Sequence, residues 1–339
     1  MIIALLILFA SVLAAGADSA AALSDQALAL AQQHRTAEAD ELWRRALAVD
    51  PNYFPALFNL GYMRFSAGKP ADSLPWLERA IRANPKDFQA RYLLGTVLTG
   101  LGERDAGLRE WRAALALQPS NLKLMQVMIV EYEKGLYYGE AEKLARRALE
   151  QNARDLNLHL LAIHACQNAR DLTTGLQIAR RAAEEFPDSA RANFEYGFHL
   201  QRDGRTAEAF RYLKKAMQLA PNYEEPYFFL GDQLVSENRD EEGIPYLRRA
   251  ISIRADYIDA RISLARGLMH QEKWGEAISE LEQAIRIDPR HPEPHLMLSR
   301  IYFRNGDEAG AAREKEVALR LRRENPHTLE AQQPRVFPR

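Results

Sequence analysis

His291 and His295 stand four residues apart, the spacing at which successive turns of one helix can share a metal ion. Pro292 and Pro294 lie between them and no third ligand falls in register, so no metal site is expected. His159 and His164 are five apart and point to different helix faces, and His159 is read as filling a core slot. The single cysteine, Cys166, allows no internal disulfide and is read as a small buried apolar side chain. No phosphate-binding glycine loop, nucleophile elbow or carboxylate pair stands out from the pattern described next. The residue types that catalysis needs are thus present without the constellations it needs. No enzymatic activity and no cofactor are expected, which leaves recognition chemistry.

The elements that would position such chemistry are set by a period. Pro51, Pro85, Pro119, Pro187, Pro221 and Pro289 are separated by 34 residues or a multiple of it, and Ala153 and Ala255 fill the two gaps. Five residues before each of these eight positions stands an alanine, from Ala46 to Ala284, and one further step gives Ala318. Small residues recur in a second phase at Ala39, Ser73, Gly107, Ala141, Gly175, Ala209, Gly243, Ala277 and Ala311. A third phase holds Ala27, Gly61, Gly95, Gly197, Gly231, Ala265 and Ser299, broken by Ile129 and Ile163. Large residues such as Leu60, Leu94 and Leu230, then Trp43, Leu77, Trp111 and Leu213, sit between them, so that small meets large where two helices interlock. Gly68, Gly102, Gly204 and Gly306, with Asn238 in the same phase, mark a left-handed stop between the helices.

This small, large and proline pattern over 34 residues resembles the tetratricopeptide repeat family. The resemblance covers nine units: 20–53, 54–87, 88–121, 122–155, 156–189, 190–223, 224–257, 258–291 and 292–325. It implies an all-α fold, a right-handed α-α superhelix, and the unbroken period points to one elongated solenoid. His159, Ala162 and Ile163 depart from the family pattern, so the unit 156–189 and the one before it are expected to pack less regularly. Pro75 and Pro245 fall inside second helices near their starts and are expected to bend rather than break them. Lys315 replaces the usual large residue in the last unit, whose charged second helix reads as a solvated end cap of a monomer or weak dimer.

The family's first helices line a concave groove, and the resemblance therefore says which face to read. Helical spacing on that face selects Phe58, Tyr62, Phe65, Tyr92, Phe194, Phe198, Phe228 and Asp232. Toward the C-terminal end it selects Arg266 and Met269, then Arg300, Phe303 and Arg304. The aromatics are expected to set affinity and the arginines to orient an acidic segment or a C-terminal carboxylate. The family's chaperone-tail clamp is not expected, because Val127 and Glu195 stand one turn after Lys123 and Arg191.

Residues 2–15 are almost wholly apolar and are followed by Ala15-Gly16-Ala17, which reads as a signal peptide, 1–17, cleaved after Ala17. The alternative is an uncleaved membrane anchor running to about Leu23. The segment 326–339 reads as a disordered tail. A formal net charge of −1 argues against a nucleic-acid partner, and the recurring Arg44-Arg45 and Arg248-Arg249 type pairs read as a solvated face rather than a membrane-binding stripe. Together these features point to an exported, periplasmic or secreted scaffold that binds a protein or peptide. The alternative is a structural or docking subunit of a pilus or secretion assembly, acting through its convex face or ends.

Overall fold

The computed structural model describes residues 19–324, so the leader 1–17 and the tail 326–339 lie outside the described residues. Among the described residues every regular element is a helix. The first eight are α1 (Ala20–Gln32), α2 (Thr36–Val49), α3 (Phe54–Ser66), α4 (Pro70–Ala83), α5 (Phe88–Gly100), α6 (Arg104–Leu117), α7 (Leu122–Lys134) and α8 (Tyr138–Gln151). There follow α9 (Leu156–Asn168), α10 (Leu172–Glu185), α11 (Ala190–Arg202), α12 (Thr206–Leu219), α13 (Glu224–Ser236) and α14 (Asp240–Ile253). The last four are α15 (Ile258–His270), α16 (Trp274–Ile287), α17 (Pro292–Arg304) and α18 (Glu308–Glu324). First helices have 13 residues and second helices 14, except α18 with 17, so each 34-residue unit is one helical hairpin. By packing, the described residues form two compact units, 19–144 and 145–324, where the period alone foresaw one.

The hairpin turn is the most uniform feature of the chain. Each first helix ends with a residue at positive φ, and all nine such residues stand in one phase. Four are Gly68, Gly102, Gly204 and Gly306, and five are His34, Leu136, Arg170, Asn238 and Glu272. The next residue's N–H then bonds back across the last turn, as Lys69 does to the Arg64 carbonyl at 3.0 Å and Arg205 to that of Leu200 at 2.9 Å. That closure satisfies carbonyls the helix end would leave bare, and it holds even where a side chain is strained by the left-handed backbone. Several first helices start on a capping side chain: Ser19, Asp87, Asn121 and Ser189 each accept a backbone N–H.

Inside each hairpin the small and large phases meet as expected. A Cβ on Gly61 would lie 2.7 Å from Leu77, one on Gly231 2.8 Å from Leu247, and one on Gly95 would overlap the Trp111 indole. The second small phase brings backbones together, since a Cβ on Gly243 would come within 2.8 Å of the Gly231 carbonyl oxygen. In the unit 156–189 the two sizes are exchanged. Ile163 occupies the small position on α9 and Ala179 the large position on α10, both fully buried in one cluster. The departure is a compensated swap, and the 13- and 14-residue register continues through it. His159 is fully buried, with its ring edge on Phe186, as the core-slot reading has it.

Pro75 and Pro245 sit inside α4 and α14, which run on to full length. Ala20 to Leu23 is the first turn of α1, and Leu23 is buried against the first hairpin. Those four residues belong to the repeats. No helix among the described residues is long and apolar enough to cross a membrane.

Candidate functional site

The first-helix face of the unit 19–144 carries stacked rings along α3 and α5. Phe58 lies between Phe54 and Tyr62, with centroids 5.9 and 6.3 Å away, and Tyr92 stacks on Phe88 at 6.0 Å. Phe58 and Phe65 are half-buried against the apolar clusters beneath them. Tyr62 is 52% exposed and leaves its ring to solvent.

The unit 145–324 carries rings of its own on α11 and α13. Phe194 is only 5% exposed, enclosed by Tyr223 at 5.3 Å and Phe229 at 5.6 Å. It belongs to the core, which corrects its reading as a groove anchor. Spacing identifies a helix face but does not reveal that the next hairpin's rings cover it. Phe198 remains half-buried against Phe229 at 4.9 Å, with the Arg202 guanidinium 5.6 Å from its ring. Phe228 is half-buried between two clusters and packs on Tyr257 at 4.8 Å. Over Tyr257 the Arg254 guanidinium sits 3.5 Å from the ring centroid, and Arg254 also pairs with Glu224. Sequence spacing missed this tyrosine, which lies on the turn before α15 rather than on a helix face.

Beside these rings lies a buried ion pair. Glu195 accepts from Arg191 at 2.8 Å, and the same guanidinium donates to the Tyr223 hydroxyl at 2.9 Å. Burial raises the Glu195 carboxyl above its usual range, against the opposing pull of Arg191. Arg191 is therefore engaged within the chain by Glu195 and Tyr223.

The basic end is less basic than its sequence. Arg266 donates to Asp232 at 3.3 Å and to Glu293 at 3.2 Å. Arg304 pairs with Glu272 at 2.8 Å and lies 4.9 Å over the Trp274 ring. Both arginines, with Asp232, are thus tied into structure, and Met269 is half-buried against the core. Arg300 is exposed and has no ion pair among the described residues. It borders a cleft of about 490 Å³ together with Arg266, Glu293 and Leu296, and Arg322 of α18 adds a cation that the sequence reading did not place there. Phe303 is 70% exposed. Of the selected residues, Tyr62, Arg300 and Phe303 are therefore exposed and outside the ion pairs described, whereas Phe198 is half-buried, as are Phe58, Phe65, Tyr92 and Phe228.

The histidines considered for metal chemistry are engaged elsewhere. His291 caps α17 by accepting the Glu293 N–H, and His295 meets Glu314 at 2.6 Å. Cys166 is buried. Of the outer arginine pairs, Arg248 bonds to Glu276, Arg249 to the Pro221 carbonyl, and Arg181 to Glu185, which makes them part of a solvated, internally paired face.

Residues 24–88 and 268–332 match family models described as tetratricopeptide repeat. Human tetratricopeptide repeat protein 33 is 28% identical over 105 residues, 31% of this chain and 40% of that protein. Protein O-mannosyl-transferase Tmtc3 of Drosophila melanogaster is 26% identical over 112 residues, 33% of this chain and 11% of that one. The chain therefore spans well under two thirds of the length of these curated relatives. Among solved structures, PilW, described as a widely conserved type IV pilus biogenesis factor, aligns with TM-score 0.53 at 23% identity over 62% of this chain and 96% of its own. A chain of the APC/C Cut9-Hcn1 hetero-tetramer aligns with TM-score 0.55 at 13% identity over 87% of this chain and 57% of its own. Repeat phase, hairpin geometry, family models and structural neighbours agree: the chain is an all-α member of the tetratricopeptide repeat family.

Proposed function

We propose that the protein is a non-catalytic interaction scaffold whose first-helix face binds a peptide segment or helix of another protein. The observation that carries this reading is the exposure of rings on that face, Tyr62 above all, beyond what packing between hairpins uses. An aromatic side chain desolvated by a partner contributes on the order of 2 kcal/mol, whereas an exposed ion pair contributes about 0 to 1. Affinity is therefore assigned to Tyr62 for the unit 19–144 and, separately, to Phe198 for the unit 145–324, each on its own unit's first-helix face. The electrostatic preference for an acidic partner now rests on Arg300 and Arg322, since Arg266 and Arg304 are already paired.

A partner in the envelope or outside the cell is the reading that the apolar segment 2–15 and the Ala15-Gly16-Ala17 pattern after it support. PilW's description as a pilus biogenesis factor fits an assembly role of this kind but is a property of that protein. The test is crosslinking in the native cells, comparing the wild type with a Tyr62→Ala, Phe198→Ala variant. A specific partner captured by the wild type and lost in the variant supports the reading. Partners captured equally by both would refute it.

A further inference from the structure

The period makes each hairpin a template for the next, and it shows what the final hairpin lacks. α17 is seated on the α15–α16 hairpin, where its buried Met297 and Ile301 share one cluster with Ile262, Ala265, Ala277 and Leu281, each at most 3% exposed. One period later those four seat positions are Leu296, Ser299, Ala311 and Lys315 on α17 and α18. No described helix follows, and the four residues border an open cleft of about 710 Å³. Phe303 and Ala312 complete its apolar rim.

The same comparison supplies the charge of an occupant. Arg266 is held from both sides: by Asp232, one period before it, and by Glu293, which sits on the seated helix α17. For Arg300 the position one period before is Arg266, another cation, and no described helix brings an acid from the other side. Lys315 adds a second positive charge where the preceding hairpin has Leu281, against the single acid Glu308.

We propose that the cleft between α17 and α18 is a docking seat for an acidic amphipathic helix of a partner protein, laid where a following first helix would stack. The seated α17 gives its pattern directly: an acid, then two apolar anchors at successive four-residue steps, as in Glu293, Met297 and Ile301. Ala312 in place of Ile278 and Glu308 in place of Trp274 make the seat roomier, which suits large anchors such as Leu or Phe. The chain's own α1 does not match this pattern, for the same three positions there are Ala21, Asp25 and Ala29, all exposed. Nor does the sequence after Glu324, where Glu330 is the only acid and the positions four and eight residues on are Pro334 and Pro338 rather than apolar anchors, while Arg335 and Arg339 repeat the sign of the seat.

The seat does not depend on Tyr62 or Phe198, so it can fail while the first-helix reading stands, and the reverse. The probe is a fluorescein-labelled, lactam-bridged helical peptide carrying Glu, Leu and Leu at steps of four on one face, titrated against the full chain by fluorescence anisotropy. The expected result is saturable binding, weakened at least tenfold by Ala312→Trp, which fills the cleft from an exposed position, and equally by Arg300→Glu. A peptide with Lys in place of Glu should bind the Arg300→Glu chain better than the wild type. No binding, or binding indifferent to Ala312→Trp and to the charge exchange, overturns the proposal. So does self-association that Ala312→Trp abolishes, which would make a second copy the occupant. Tighter peptide binding in a Val336→Asp, Phe337→Asp chain would assign the seat to the C-terminal segment and likewise overturn it.

Discussion

His199 should make the repeat 190–223 acid-sensitive, in a way that a His199→Gln comparison separates from other titrations. Its ring is 2% exposed on α11, accepts the Gln167 amide at Nε2 across 3.0 Å, and fills the space left by Gly175, whose added Cβ would lie 2.8 Å from Cε1. Burial, and after it the positive charge of Arg202, lowers its pKa from 6.5 to about 4. Protonation would also set two donors against each other at Nε2. Because the folded pKa is depressed, the unfolded chain binds more protons between pH 4 and 6.5, and stability falls as pH drops through that window. A gap of about 2.5 pKa units corresponds to roughly 3 kcal/mol in full, of which about 2 is lost between pH 7 and pH 5. The assay is hydrogen exchange of the α10 and α11 amides at both pH values in the wild type and in His199→Gln, since local opening is better defined than global unfolding in a repeat array. The wild type should lose about 2 kcal/mol more opening free energy than the variant over this interval. A difference below about 0.5 kcal/mol, or an imidazole NMR titration centred near 6.5, would refute the reasoning.

Three further outcomes follow from the packing. Gly231→Ala should cost about 1 to 3 kcal/mol, because the new Cβ meets the Gly243 carbonyl oxygen at 3.0 Å as well as Leu247, whereas Gly275→Ala, with nothing within 4 Å, should not destabilise; thermal unfolding distinguishes them. Arg170→Gly should stabilise by about 1 kcal/mol by relieving a non-glycine residue at φ 60°, and a lowered melting temperature would contradict the turn assignment. Ile163→Ala and Ala179→Leu should each destabilise, by about 2 to 5 and 1 to 3 kcal/mol, while the double variant recovers at least 1 kcal/mol of their sum in a denaturant double-mutant cycle. Strict additivity there would mean that the two side chains do not share one space.

The fold was legible because it is written nine times in one phase. Gly61 against Leu77 and Gly231 against Leu247 are the small and large positions found by spacing, and the proline comb marks the turns between hairpins. What spacing obscured was compensation. Ile163 looks like a defect until Ala179 is compared with Leu77 and Leu213 in its own phase, and the left-handed turn at Leu136 or Arg170 is dictated by phase against residue type. The site was legible to a lesser degree. A face of α11 could be named, but the cover over Phe194 comes from Tyr223 and Phe229 on other elements. Arg304 could be placed beside the groove, but its neutralisation by Glu272 depends on a neighbour 32 residues earlier.

Arg266 and Arg300 show where specificity must then reside. They are the same residue in the same phase on equivalent helices, so intrinsic chemistry and local geometry cannot distinguish them. Their neighbours one repeat to either side do. Asp232 and Glu293 turn Arg266 into a structural ion pair, whereas Arg266 itself precedes Arg300 and leaves it facing a cleft. A residue in such an array acquires its role from the residues about 34 positions away, which form the floor and walls around it. The repeat pattern therefore specifies the scaffold, and binding chemistry appears where the pattern lacks its usual partner. In this chain that condition is met at the end of the final hairpin, where apolar surface and the charge of Arg300 border one cleft.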